Sequence, residues 1–161
     1  MIAVLIPASV KALHETDASL DQPRNAEAMK TVFADSFYFF ALANPIDPAH
    51  ARAVAFVKTF TGKMVTTGWV LTELADGWAR PSQRKFLVPM LAKFRANPNA
   101  RIEPCSDQLL PEGIDLYHAR ADKAWSLTDC ISFVVMQREG ITEPLTGDKH
   151  FEQAGFVALL K

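Results

Sequence analysis

The chain has 161 residues, of which 49% are hydrophobic and 22% are charged, and its formal net charge is −1. This length and composition are typical of one soluble globular domain with a sizeable core. No apolar run approaches the ~20 residues of a membrane-spanning helix, and the two cysteines lack metal-type spacing. We therefore predict a cytoplasmic protein with no membrane partner.

The first 28 residues differ from the rest of the chain. After a short apolar start, residues 14–28 are polar and show neither helical nor strand periodicity, which is typical of a loop or of disorder. Met29 precedes the first clear strand pattern. We therefore predict that residues 1–28 are an N-terminal extension, disordered or a mis-assigned start, and that residues 29–161 form the domain. A short packed strand or helix at residues 2–6 is the alternative.

The rest of the chain alternates strand and helix patterns in the order β-α-α-β-α-α-β-α-α-β-β. Strands are predicted at residues 31–34, 64–67, 101–105, 144–146 and 156–160. The clearest helix spans residues 126–139 and is followed by Gly140, as is common at helix ends. We expect Pro111 to divide the preceding helix. The alternation predicts an α/β fold, in which helices flank a mainly parallel central sheet of about five strands.

Two of the predicted strands end directly in an aspartate. Asp35 follows the first strand and Asp148 follows the fourth. Open α/β sheets bind ligands at the carboxyl ends of their strands, so both carboxylates are candidates for a site. The simpler explanations are that Asp35 caps the next helix and that Asp148 is a turn residue.

Two further acids are predicted to lie at the same edge of the sheet. Glu73 is near the start of the helix after the second strand, and Asp129 is near the start of the helix at residues 126–139. Taken singly, Glu73 is explained as a solvated helix acid, and Asp129 as the partner of Ser126 in a capping box. Four carboxylates in one cleft raise one another's pKa values and call for a cation. Oxygen ligands suit Mg²⁺ or Mn²⁺, which can activate water for phosphodiester hydrolysis.

Four segments of the chain carry a family resemblance. They are ADSFYFFALANP, TTGWVLTELADG, WSLTDCISFVVM and LTGDKHFEQAGF, which begin at residues 34, 66, 125 and 145. In these segments and in their order the chain resembles the PIN-domain ribonucleases, especially the toxins of VapBC-type toxin–antitoxin pairs. The resemblance runs from about Met29 to Lys161. It implies a three-layer α/β/α PIN-like fold and a metal-dependent endoribonuclease.

The resemblance also implies roles for particular residues and partners. The metal-binding and catalytic acids would be Asp35, Glu73, Asp129 and Asp148. Asp122 is similar to an accessory acid of part of the family, or is a surface acid. Ser36 and Thr128, each beside a candidate acid, could orient a carboxylate or a water, or could only cap a helix. The implied partners are RNA, an antitoxin whose segment covers the cleft, and a second copy of the chain.

Two other functions are open at this point. One is a catalytically silent PIN-like binding module, which the intact set of four acids argues against. The other is a phosphoacceptor domain of flavodoxin-like topology, but its acceptor would follow the third strand, where this chain has Cys105.

Lys149 and His150 follow Asp148 and could contact phosphate, although a solvated pair in a loop is the simpler interpretation.

Overall fold

The computed structural model describes residues 29–161; the predicted extension at residues 1–28, with its alternative at residues 2–6, lies outside the described residues. The strands of the described part are β1 (Thr31–Ala34), β2 (Lys63–Thr67), β3 (Ala100–Glu103) and β4 (Pro144–Leu145). Its helices are α1 (Ser36–Ala43), α2 (His50–Thr59), α3 (Gly68–Gly77), α4 (Leu87–Ala96), α5 (Leu109–Ala119), α6 (Leu127–Arg138) and α7 (Lys149–Gln153). A single 3₁₀ turn, Arg84–Phe86, precedes α4.

The four strands form one sheet in the order β3-β2-β1-β4, and every neighbouring pair is parallel. Phe33 of the inner strand β1 lies opposite Val65 of β2 on one side and Pro144 of β4 on the other. The central position of β1 explains its apolar run, because Val32, Phe33 and Ala34 are fully buried. The predicted α/β fold with a parallel sheet is confirmed. Its strand order differs from the 2-1-3-4-5 order of flavodoxin-like domains, which disfavours the phosphoacceptor alternative.

The predicted fifth strand is not a regular strand, so the described residues contain four strands rather than about five. Residues 156–160 nevertheless run beside β4, where Val157 N–H donates to the carbonyl of Thr142 and Leu159 N–H to that of Pro144. The next residue, Leu160, also donates, to the carbonyl of Thr146. Because two consecutive residues donate to the same side, the backbone loses the alternation that a β-ladder requires.

The pair α5 and α6 packs closely because one residue of α5 has no side chain. A Cβ built on Gly113 would lie 2.2 Å from Cγ1 of Ile131 on α6, so no larger residue fits without displacement. The sequence predicted that Pro111 would divide this helix, but α5 is continuous from Leu109 to Ala119. Pro111 lies in the first turn of the helix, where a backbone N–H has no intrahelical partner to lose.

An aromatic cluster joins three of the four elements that carry the candidate site, β1, α6 and α7. The ring centroid of Phe151 on α7 lies 4.9 Å from that of Phe133 on α6 and 6.3 Å from that of Phe33 on β1. All three side chains are fully buried. Their packing therefore fixes α6 and α7 against the end of the central strand. No helix within residues 29–161 combines the length and the apolar character needed to cross a lipid bilayer.

Candidate active site

A cleft of about 330 Å³ at the carboxyl end of the sheet contains the four predicted acids. Each comes from a different element: Asp35 follows β1, Glu73 is on α3, Asp129 is on α6, and Asp148 precedes α7. The other lining residues are Ser36, Phe37, Phe40, Ala124, Ser126 and His150. Acids that are far apart in the chain thus lie around one opening, as the parallel topology predicts.

Asp35 is the most buried of the four acids, with 5% of its surface exposed. It occupies the N-cap position of α1, but its side chain makes no capping hydrogen bond, so capping does not explain it. Burial raises the pKa of Asp35 from 3.8 to about 7, and the charges of Asp129 and Glu73 add to the rise. Hydrogen bonds from the Thr146 hydroxyl and the Ser36 backbone N–H oppose it. Near neutral pH, a proton and a metal ion would therefore compete for this carboxylate.

Thr146 links two of the acids, and the sequence analysis missed it. Its hydroxyl donates to Oδ2 of Asp35 at 2.8 Å and accepts from the backbone N–H of Asp148 at 3.0 Å. The side chain is fully buried beside the end of β4. A threonine at a strand end is ordinary, and nothing in the sequence indicates a partner 111 positions away.

We expect Thr146→Val to lower the rate of the phosphodiester hydrolysis predicted from the sequence by about 10- to 100-fold, because Asp35 loses the hydrogen bond that orients it and favours its ionised form. The pKa of Asp35 should then rise further, so the acid side of the pH–rate profile should move to higher pH. Thr146→Ser keeps the hydroxyl and is the matched control. A valine variant with the wild-type rate and the wild-type profile would contradict this role.

Asp129 caps α6 and also lines the cleft. Its Oδ2 accepts from the backbone N–H of Ser126 at 2.8 Å, and its own N–H donates to the Ser126 hydroxyl at 3.0 Å. The capping box predicted from the sequence is therefore present. The capping box does not exclude a role for Asp129 in the cleft, because the carboxylate that accepts the capping hydrogen bond also lines the cleft.

His150 faces two of the acids and is not a solvated loop residue. Its Nδ1 lies 3.2 Å from Oδ2 of Asp129 and 3.5 Å from Oδ2 of Asp148. One ligand atom from each of these three residues lies within 4.8 Å of the others, a spacing that could hold a metal ion. Lys149, the other half of the predicted pair, is exposed.

Glu73 is half-buried and approaches the cleft from α3. Burial raises its pKa, and the charges of Asp129, Asp148 and Asp76 add to the rise, whereas the Ser36 hydroxyl opposes it. Glu73 and Asp35 are not part of the three-residue group around His150. Ser36 is buried between two of the candidate acids. Its backbone N–H donates to Asp35 and its hydroxyl donates to Glu73.

The two remaining accessory candidates are not among the residues that line the cleft. Asp122 is exposed and forms an ion pair with Arg120, with 2.9 Å between Oδ1 and Nε, and this pair lowers the pKa of Asp122 to about 2. That placement favours the surface-acid interpretation. Thr128 is half-buried in the first turn of α6, where its backbone carbonyl accepts from the Ser132 hydroxyl.

The chain matches no protein-family model, but it is similar to curated proteins and solved structures. It is 26% identical over 126 residues to "23S rRNA-specific endonuclease VapC20" from two strains of Mycobacterium tuberculosis, covering 78% of this chain and 95% of the relative. The crystal structure of M. tuberculosis VapC20, a "Sarcin-Ricin loop cleaving toxin", superposes with a TM-score of 0.70 at 25% identity, over 78% of this chain and 96% of that one.

FitAcB from Neisseria gonorrhoeae superposes with a TM-score of 0.58, over 80% of this chain and 96% of that one. At 15% identity, this second likeness concerns the fold alone. Together, the similarities confirm the predicted PIN-like α/β fold and the predicted resemblance to VapC-type proteins.

Proposed function

Because the chain is a relative of the VapC-type toxin ribonucleases in sequence and in fold, we propose that it is a divalent-metal-dependent endoribonuclease and the toxin of a toxin–antitoxin pair. The observation that carries the proposal is the gathering of Asp35, Glu73, Asp129 and Asp148 around one cleft. No serine, cysteine or other protein nucleophile is needed for hydrolysis at such a site.

The residues around the cleft fit a divalent cation. Burial and mutual repulsion raise the pKa values of Asp35 and Glu73, as expected of carboxylates that lack a counter-charge. We propose Mg²⁺ or Mn²⁺, since carboxylate oxygens are their preferred ligands. Either ion supplies Lewis acidity toward a phosphoryl oxygen and lowers the pKa of water.

The chain's own residues would bind and orient the reacting groups. Asp129 and Asp148, each anchored by a helix-capping hydrogen bond, would hold the ion at the opening. Asp35 would face it from the buried side, held by the Thr146 hydroxyl. Glu73, hydrogen-bonded to Ser36, would supply a further negative charge facing the ion from α3. Asp122 and Thr128 would have no direct part, and Ser36 would orient Glu73.

Ribosomal RNA is the substrate class that we propose. The curated relative is named as a 23S rRNA-specific endonuclease, and the corresponding crystal structure as a Sarcin-Ricin loop cleaving toxin. Extending that class to this chain rests on 26% identity across almost the whole relative. A cytoplasmic location follows from such a substrate, because ribosomes are cytoplasmic.

We propose an antitoxin as the protein partner, covering the cleft. Helix α1 supports this, because Phe37 and Phe40 line the cleft while other residues of the same helix line an apolar groove of about 480 Å³. Groove residues include Tyr38, Phe39, Val57, Trp78, Phe86 and Met90. Lys85 and Lys93 also line it, which suits an apolar segment with acidic flanks.

A second copy of the chain remains the other proposed protein partner. Leu110, Ile114 and Tyr117 form an exposed apolar stripe on α5, and each has 38–53% of its surface exposed. Their spacing of about one helical turn places them on the same side of the helix. Such a stripe is compatible with a dimer interface.

The proposal is tested by incubating the purified protein with ribosomes, with total RNA and with transfer RNA, in Mn²⁺ or Mg²⁺ and after chelation. We expect discrete fragments of 23S RNA, loss of cleavage on chelation, and recovery when excess ion is restored. Asp122→Asn, which alters an exposed acid outside the cleft, should retain activity within about twofold. Cleavage that is unaffected by chelation would contradict the mechanism. Ion binding with no RNA cleavage would favour the catalytically silent binding module.

A further inference from the structure

We propose that His150 is itself a metal ligand, through Nδ1, and that this nitrogen makes the site prefer Mn²⁺ over Mg²⁺. The inference rests on the proposed function only in requiring a divalent ion in the same cleft. It adds a donor of a different element to a site that was otherwise predicted to contain oxygen donors alone.

The spacing of the donor atoms supports coordination by the ring. Nδ1 of His150 lies 3.2 Å from Oδ2 of Asp129 and 3.5 Å from Oδ2 of Asp148. In an octahedral site with bonds near 2.1 Å, neighbouring ligand atoms are separated by roughly 3 Å. The three side chains therefore need only small adjustments to place their donor atoms around one ion.

The backbone position of His150 is fixed by its neighbours in the structure. The backbone N–H of His150 donates to Oδ1 of Asp148 at 2.8 Å, and the ring is half-buried. The next residue, Phe151, is fully buried against Phe133. The backbone of His150 is thus fixed at the start of α7, and the ring Nδ1 faces the two carboxylates.

The chemistry of the donor set determines the preferred ion. Mg²⁺ selects oxygen ligands and retains water, whereas transition-metal ions accept imidazole more readily. Mn²⁺ accepts both carboxylate and imidazole ligands, and so it suits a mixed set better than Mg²⁺ does. Removing the imidazole should therefore weaken Mn²⁺ binding more than Mg²⁺ binding.

Pulsed electron paramagnetic resonance of the Mn²⁺-loaded full-length chain tests the contact directly. With ¹⁵N-labelled histidine, we expect a nitrogen hyperfine coupling from one directly bound imidazole. The coupling should disappear in His150→Gln. It should persist in His50→Gln, because Nδ1 of His50 is paired with the backbone carbonyl of Ala41 and His50 does not line the cleft. Absence of the coupling in the wild type, or its persistence in His150→Gln, would overturn the proposal.

Calorimetric titration without RNA tests the selectivity. We expect the ratio of Mn²⁺ affinity to Mg²⁺ affinity to fall at least about tenfold in His150→Gln and to stay unchanged in His50→Gln. An unchanged ratio in a folded His150→Gln variant, as judged by circular dichroism, would overturn the selectivity. Nitrogen coupling in a chain that cleaves no RNA would contradict the nuclease proposal and leave the ligand in place. RNA cleavage without the coupling would contradict the ligand alone.

Discussion

Asp35→Asn is expected to lower RNA cleavage by about 10³-fold or more while making the metal-free protein harder to unfold. The loss follows because Asp35 would be the buried carboxylate facing the ion, and metal-derived stabilisation of several kcal/mol corresponds to about three powers of ten in rate. Asparagine still offers an oxygen to the Thr146 hydroxyl, so the local hydrogen bond can survive. The measurement is the initial rate of 23S RNA cleavage by wild type and variant.

The gain in stability follows from the direction of the pKa shift. The pKa of Asp35 is raised in the folded protein to about 7, so the wild type loses stability as pH rises from about 4 through about 7. Asparagine does not ionise, so this loss is absent in the variant. The shift from 3.8 to about 7 sets an upper limit of about 4 kcal/mol on this gain at pH 8. Because the buried asparagine amide must also lose its water, we expect the variant to exceed the wild type in free energy of unfolding by about 2 kcal/mol, or roughly 6 °C in Tm.

The difference in stability should be much smaller near pH 3, where Asp35 is largely protonated both in the folded and in the unfolded chain. Asp122→Asn is the control, because that acid is exposed and ion-paired and should show no such gain. If Asp35→Asn were less stable than the wild type at pH 8, burial of the ionised Asp35 carboxylate would not destabilise the fold. Undiminished cleavage would remove it from the site.

Metal binding is expected to release protons near neutral pH. Below the Asp35 pKa of about 7, an ion must displace a proton from that carboxylate, so the apparent affinity should fall up to tenfold for each unit of decreasing pH. Above about pH 8 the affinity should level off. Glu73, whose pKa is also raised, adds to the effect.

Titration calorimetry with Mn²⁺ in buffers of different ionisation enthalpy measures the number of protons released. At pH 6 we expect about one proton for each ion, and fewer in Asp35→Asn. An affinity that is independent of pH between 6 and 8 would show that Asp35 does not contact the ion.

The parallel fold could be predicted because its signals are local. The buried strand β1 reads as an apolar run, and α6 has a capping box at its start and a glycine after its end. The predicted and observed ends of these elements agree within about one residue. The strand prediction at residues 156–160 was wrong. Two consecutive residues there, Leu159 and Leu160, donate hydrogen bonds toward β4, and the apolar pattern of the sequence does not reveal this break in the alternation.

The candidate site was only partly predictable. Acids at strand ends follow from topology, so the positions of Asp35 and Asp148 could be inferred before the structure was known. Thr146 could not be inferred, and His150 was considered only as a phosphate contact, because their importance lies in contacts made across the fold rather than in their neighbours along the chain. The exposure of Asp122 likewise depends on its pairing with Arg120.

The Thr146–Asp35 contact also has a consequence for folding kinetics. It joins positions 111 residues apart, so the chain must close a long loop before β4 can lie beside β1. Contacts of such high sequence separation slow folding, and here the closing step also brings mutually repelling carboxylates into the same cleft. The docking of β4 is thus opposed both by chain entropy and by charge, and an ion that neutralises the carboxylates would relieve the second of these barriers.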